Sequence, residues 1–308
     1  MDESMFSEKL PRLQIAWDST SFKLFQECPR KYQYTILDQW VAVRAKAQLD
    51  FGIAVHKAIE KYHRLRAKGV DYDDAMLQTV RFCLNTKGQW ATGDTLYNHF
   101  NLARGVIWYL DLFRNDPAET LILSNGEPAV ELSFRFALPL ESPDGTPYFW
   151  CGHIDRVVKF QGDIIISDIK STKSGLDQNF TKRFSPNNQL NGYILGSSTI
   201  LPGGGTRTAM IDGIELKVNF NRFVRLFITR TPNQLHEWMD NTGEWLKMAE
   251  QYAEKGFWPM NLESCDKWGG CTFRDICSKD PSTRDQWLTG SPQDFTKREW
   301  NPLISREA

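Results

Sequence analysis

Two hydrophobic rhythms divide the chain. Up to about residue 114 the apolar positions recur at helical spacing. The stretch LDFGIAVHKAIEKYHRLRAKG (49–69) sets Val55, Ile59 and Tyr62 on one stripe and stops at Gly69, which predicts an amphipathic helix with a glycine end. Ser19 or Thr20 stands where an N-cap belongs, so a first helix is expected through SFKLFQECPRKYQYT, and two more follow near 72–84 and 95–114. From Val130 the period changes to two. Val130, Leu132, Phe134, Phe136 and Leu138 alternate with Glu131, Ser133 and Arg135, the pattern of a half-buried strand.

After the turn SPDGTP come two strand-like runs, FWCGHIDRVVKF and DIIISDIK, separated only by Gln161 and Gly162. Beyond them the pattern predicts a short helix near 187–197, a Gly-rich turn at 203–205, strands near 211–219 and 222–229, and a helix from Pro232 to Lys255. The fold class is therefore α/β (mixed α+β), a central mixed sheet flanked by helices. We divide it into an N-terminal tail (1–18), a helical region (19–126), a core (127–260) and a cysteine-rich loop with a C-terminal tail (261–308).

Composition adds bounds. The chain has 308 residues, 41% hydrophobic and 24% charged, enough for a sizeable core and ordinary for a globular protein. It has no run of roughly 20 apolar residues that could span a bilayer, and MDESMFSEKL has neither the basic start nor the apolar core of a signal peptide. A cytoplasmic location is expected. A net charge of −1 argues against coating nucleic acid by bulk attraction. Residues 21–70 are nonetheless basic, with ten Lys or Arg (Lys23, Arg30, Lys31, Arg44, Lys46, Lys57, Lys61, Arg64, Arg66, Lys68) against four acids, a net of +6. This is either a phosphate-tracking patch or a solvated helical face.

The candidate chemistry lies in the two middle strands. If Gln161 and Gly162 make a two-residue hairpin loop, Phe160 pairs with Asp163, and stepping back along both strands sets Asp155 opposite Asp168. Lys170 projects from the same face as Asp168. Two carboxylates that close repel unless a proton or cation compensates, and hard oxygen ligands suit Mg²⁺ or Mn²⁺. A lysine beside such an ion could serve the attacking water or the phosphate. An ordinary salt bridge of Asp168 with Lys170 or Arg156 explains the spacing as well.

Six cysteines are present, three of them spaced as Cys265-x5-Cys271-x5-Cys277, with Cys28 far upstream. In a cytoplasmic chain, four cysteines gathered by folding suit an iron–sulfur cluster or a structural zinc. Cys83 and Cys151 fit no motif and are expected to be buried thiols.

GHIDRV (152–157) followed by IIISDIKST (164–172) resembles the PD-(D/E)xK nuclease superfamily, in particular its branch of RecB-like exonucleases and CRISPR-associated adaptation nucleases. FGIAVHKAIE resembles that branch's helix with a metal-binding histidine, here His56, and NNQLNGYILG its Gln-x-x-x-Tyr motif, here Gln189 and Tyr193. The resemblance covers roughly residues 20–280 and implies a restriction-endonuclease-like sheet. It implies a metal held by His56, Asp155, Asp168 and the carbonyl of Ile169, with Lys170 serving the water and Gln189 and Tyr193 completing the catalytic set. The strand of Glu131 matches where the family often has another acid, and a solvated strand face explains Glu131 equally well.

Branch members with one cysteine before the core and three after it hold a 4Fe-4S cluster, which would assign Cys28, Cys265, Cys271 and Cys277 as its ligands. This sequence departs from them in having five residues rather than two between the first two of the three. The implied function is Mg²⁺- or Mn²⁺-dependent cleavage of DNA, as an exonuclease acting on ends or single strands. The alternative is a DNA-end-binding or assembly subunit of a recombination, helicase–nuclease or spacer-capture complex. No G-x-x-x-x-G-K-[ST] loop is present, so any ATP-driven unwinding would fall to a helicase partner. RKYQY (30–34) and KRF (182–184) interleave aromatic and basic residues, either as a stacking surface for bases or as core rings.

Overall fold

The structure, a computed structural model, describes residues 5–43, 47–88, 90 and 94–303. Arg44 and Lys46 of the basic segment, with the first four and last five residues of the two tails, lie outside the described residues. In chain order the elements are β1 (Ala16–Trp17), α1 (Ser19–Glu27), α2 (Pro29–Tyr32), β2 (Trp40–Ala42), α3 (Ala47–Ala67), α4 (Tyr72–Asn85) and α5 (His99–Leu112). Then come β3 (Glu119–Thr120), β4 (Val130–Glu141), β5 (Pro147–Phe160), β6 (Asp163–Thr172), α6 (Gln178–Lys182), α7 (Asn188–Ile200), β7 (Thr208–Leu216) and β8 (Asn221–Thr229). The chain continues through α8 (Pro232–Lys255), α9 (Arg274–Cys277), α10 (Arg284–Thr289) and β9 (Phe295–Lys297). No described helix is long and apolar enough to cross a membrane.

The described residues gather into two units, one drawn from 1–44, 135–152 and 236–308, the other from 45–134 and 153–235. Neither is a continuous segment, so the four consecutive divisions read from the sequence do not coincide with them. The basic segment is likewise shared out: Lys23, Arg30 and Lys31 belong to the first unit, and the basic residues of α3 to the second.

The first expected helix is broken. Asp18, not Ser19 or Thr20, caps α1 through a reciprocal box with Ser21. At Cys28 the backbone turns extended (φ −164°, ψ 109°) and Pro29 opens α2. The cause is local, because a proline ring crowds the residue before it out of helical geometry while suiting a first helical position itself. The break leaves Cys28 at a corner. Around it the first unit has an aromatic core, with Trp17 stacked on Tyr32 (5.4 Å, 10°) and Trp150 edge-on to Trp238 (4.9 Å). The segment set apart as an N-terminal tail feeds this core through Leu13, Ile15 and Trp17. Tyr32 and Tyr34 are buried here, and Phe184 is buried in the second unit, so these rings of RKYQY and KRF are core.

In the second unit the strands run β3-β5-β6-β7-β8, mixed in direction: β6 and β7 are parallel, and the other neighbours antiparallel. The β5–β6 turn is the expected two-residue loop. Gln161 (φ 50°) and Gly162 (φ 94°) both take the left-handed conformation that matches strand twist, and Phe160 pairs with Asp163. β6 and β7 are joined through α6 and α7, the long crossover that a parallel pair requires. α3 and α5 cover one core, where Val55, Ala58, Ile59, Tyr62, Val106 and Tyr109 pack with Ile169, Ile214 and Leu216 of β6 and β7. α7 packs on β6 and β7 as well. The expected mixed α/β architecture is what forms.

Candidate active site

The register read from the hairpin holds from Phe160–Asp163 back to Arg156–Ser167. At the next step a side chain enters the ladder: the backbone N–H of Ile169 donates to Asp155 Oδ2 at 3.0 Å. That bond fixes the Asp155 carboxylate against β6. Gly52 lets α3 lie close to β6, since a β-carbon there would sit 3.3 Å from Ser171 Oγ. One turn further along α3, His56 Nδ1 reaches Asp155 Oδ2 at 3.2 Å.

Asp168 is fully buried. Its Oδ1 accepts from Lys170 Nζ at 2.7 Å, and Oδ2 lies at 2.7 Å from the same ammonium without hydrogen-bond geometry to any described group. Burial and the charge of Asp155 push the Asp168 carboxyl above the usual range, against the pull of Lys170. Burial acts on Asp155 in the same sense, but His56, Lys170 and the Ile169 N–H together hold it below that range. His56 is itself raised: burial opposes its charge, but the charge and hydrogen bond of Asp155, with the charge of Asp168, together prevail. Asp155, Asp168, Lys170 and His56 thus act on one another through contacts of 2.7–3.2 Å.

The donor set fits a hard divalent cation. It combines two carboxylates and an imidazole, oxygen and nitrogen donors that suit such an ion. As they stand, no three His, Cys, Asp or Glu side chains among the described residues close around a single point.

On α7, Gln189 Nε2 donates to Tyr193 OH at 2.7 Å, so the i, i+4 pair does share a face. Tyr193 is edge-on to Phe134 of β4 (5.9 Å, 89°). Glu131 is half-buried and has φ 52°, a left-handed conformation strained for a residue with a β-carbon. With His56 and Asp155 it lines a small pocket that also includes Glu60, His63, Val130, Arg156 and Ile169.

Glu60 and His63 had no functional place in the sequence reading, and Arg156 entered it only as a salt-bridge partner for Asp168. The first two were legible, because His56, Glu60 and His63 fall at i, i+4 and i+7 on one helical face. Arg156 is buried, with Nη1 2.8 Å from His63 Nδ1. Burial, then the charges of Arg156 and Arg225, hold His63 well below its usual pKa. In the same unit a network joins elements far apart in sequence. Tyr109 OH (2.6 Å) and Arg225 (2.7 and 2.8 Å) donate to the buried Asp212, while Arg225 also grips Asp116 (2.7 and 2.8 Å).

The four motif cysteines belong to the first unit, none of them in a disulfide. Cys28 Sγ accepts from the Asn261 N–H at 3.3 Å, Asn261 and Ser264 tie to the Glu27 carbonyl, and Cys271 N–H donates to the Cys265 carbonyl at 2.8 Å. Cys28 and Cys271 each act on both Cys265 and Cys277, though among the described residues no three cysteines close around one point. Burial raises Cys265, with Cys271 and Cys28 adding to it, and Cys277 is pushed up to about 11 by burial, aided by Cys271 and Cys28 and opposed by Arg284. Cys83 and Cys151 are buried.

The family model of the PD-(D/E)XK nuclease superfamily matches residues 17–278, and the chain belongs to that superfamily, with its restriction-endonuclease-like fold. Among solved structures it is similar to a Eubacterium rectale protein provisionally named an exonuclease, at 11% identity and a TM-score of 0.47, over 86% of this chain and 91% of that one. It is also similar to the protein SSO0001, at 16% identity and a TM-score of 0.32, over 58% and 69% of the two chains. No curated protein matches the sequence.

Proposed function

We propose that this chain is a Mg²⁺- or Mn²⁺-dependent deoxyribonuclease, an exonuclease acting on DNA ends or single strands, with a 4Fe-4S cluster in its first unit. The observation that carries the reading is the group Asp155, Asp168, Lys170 and His56, in which two carboxylates, an ammonium and an imidazole meet through contacts of 2.7–3.2 Å. Asp155, Asp168, His56 and the Ile169 carbonyl would hold the ion. When bound, it supplies positive charge for a phosphate oxygen and acidity to a water.

The remaining work falls to the chain. The Ile169 N–H keeps Asp155 aimed. Lys170, anchored on Asp168 at 2.7 Å, presents an ammonium that orients water or donates to the phosphate as negative charge develops there. Gln189 and Tyr193, bonded to each other at 2.7 Å, would position the substrate strand from α7.

Cys28, Cys265, Cys271 and Cys277 would hold the cluster. Its support is the cysteine pattern of the sequence and the bonds joining the Cys28 corner to the segment 261–264. Such a cluster would close a loop of more than two hundred residues, from Cys28 to Cys265, and so restrict the unfolded chain. Structural zinc is the competing occupant, separable by visible absorption with iron and sulfide analysis. For the nuclease reading, the experiment is incubation of end-labelled single- and double-stranded DNA with Mg²⁺, Mn²⁺ or EDTA, beside an Asp168→Ala control. Metal-dependent loss of label by wild type alone supports it. A gel shift without cleavage by either protein would favour the DNA-end-binding subunit.

A further inference from the structure

The outer face of α5 carries a group of residues that hydrolysis does not use. Phe100, Arg104 and Trp108 follow one another at intervals of four, on one stripe of the helix. Phe100 is 80% exposed and Trp108 45%, although large rings are normally drawn inward. Arg104 lies over Trp108, 5.5 Å from its centre, and donates to the carbonyls of Lys217 and Val218, which ties α5 to the β7–β8 turn. On that turn Phe220 is 40% exposed, with Arg222 at 5.1 Å from its ring.

The surface is basic as well as aromatic. Arg104 and Arg222 lie over rings of the patch, Lys217 is on the same turn as Phe220, and the carboxylate paired with Lys217, that of Glu215 at 3.6 Å, is itself buried. The patch is also tied to the site: Lys217 Nζ donates to the Lys173 carbonyl at 2.7 Å. Lys173 is three residues past Lys170, about 10 Å along an extended chain. Isolated exposed apolar residues carry no message, but grouped rings with cations between them match what unpaired nucleotides need, a flat apolar face for each base and positive charge for each phosphate.

We propose that this surface binds a single-stranded stretch of the DNA substrate, with bases stacked on Phe100, Trp108 and Phe220 and phosphates beside Lys217 and Arg222. Paired bases have no free face to offer, so duplex DNA would gain only the phosphate contacts. The proposal rests on the nuclease reading for the identity of the polymer alone.

The test is fluorescence anisotropy in EDTA, where hydrolysis cannot intervene, using a labelled single-stranded oligodeoxynucleotide and a duplex of equal length. Wild type is compared with a Phe100→Ala/Trp108→Ala double variant and with Arg222→Gln, after thermal melts establish that all three are folded. Wild type should favour the single strand, and the double variant should bind it about tenfold or more weakly with little change for duplex. Arg222→Gln should lower the salt dependence of single-strand binding by about 0.7 in log–log slope. An absent single-strand preference in wild type, or an unchanged Kd in the double variant, overturns the proposal. So does a double variant that changes oligomeric state on size exclusion while binding DNA normally, which would assign the surface to contact between copies. A protein that binds single strands here but never cleaves with metal would contradict the nuclease reading and leave this one standing.

Discussion

Gly196→Ala should destabilise the protein although it improves the helix. In an open helix interior alanine is favoured over glycine by about 1 kcal/mol. At this position on α7 an added β-carbon would lie 2.2, 2.4 and 2.6 Å from Cδ2, Cε2 and Cγ of Phe134, far inside contact distance. The ring cannot swing away cheaply, because it is buried on β4 and edge-on to Tyr193. Overpacking of this kind costs roughly 1–3 kcal/mol, and a rigid buried ring argues for the upper end. Subtracting the helix gain leaves a net loss of about 2 kcal/mol, read as a lower midpoint in urea unfolding. In a Phe134→Leu background the same change should cost at least about 1 kcal/mol less, as expected for residues in contact. A Gly196→Ala variant as stable as wild type, or more so, would show that the close approach of α7 and β4 is wrong.

Asp212→Ala should cost about 3 kcal/mol, the lower end for breaking a buried ion pair because Arg225 keeps Asp116, while Tyr109→Phe should cost about 1 kcal/mol; thermal melts of both check it. His63 is depressed in the folded state, so its contribution is fully present above the unfolded value near 6.5 and is lost as pH falls below that. His63→Gln should therefore flatten the decline of stability between about pH 6.5 and 5, and an unaltered profile would count against a neutral, Arg156-bonded ring. Cys271→Ala should yield unstable or insoluble protein with no visible chromophore, whereas a folded, colourless and fully active variant would remove the cluster from the account.

Much of this was legible in local pattern. The hairpin could be placed because Gln161-Gly162 leaves a two-residue turn one register, and α8 because its pattern runs unbroken from Pro232 to Lys255. The coupling of His56 to Asp155 was legible only through motif order, since nothing in helical spacing says which strand α3 covers. The break at Cys28 was signalled by Pro29 but lost inside an otherwise helical pattern. Least legible was the network of Tyr109, Asp116, Asp212 and Arg225, which chain folding gathers from α5, the loop after it and two strands. Glu131 shows the other kind of loss: strict alternation would turn it outward with Ser133 and Arg135, whereas its positive φ departs from regular strand geometry and it lines the pocket of His56 and Asp155.

The central claim is tested most directly by initial rates of phosphodiester cleavage in Mg²⁺ or Mn²⁺ for wild type, Asp168→Asn and Lys170→Met. All three should fold, and each variant should lose at least about a hundredfold in kcat/KM, the usual span for a missing proton-transfer or charge-stabilising group. A folded Asp168→Asn protein that cleaves DNA at the wild-type rate would contradict the account.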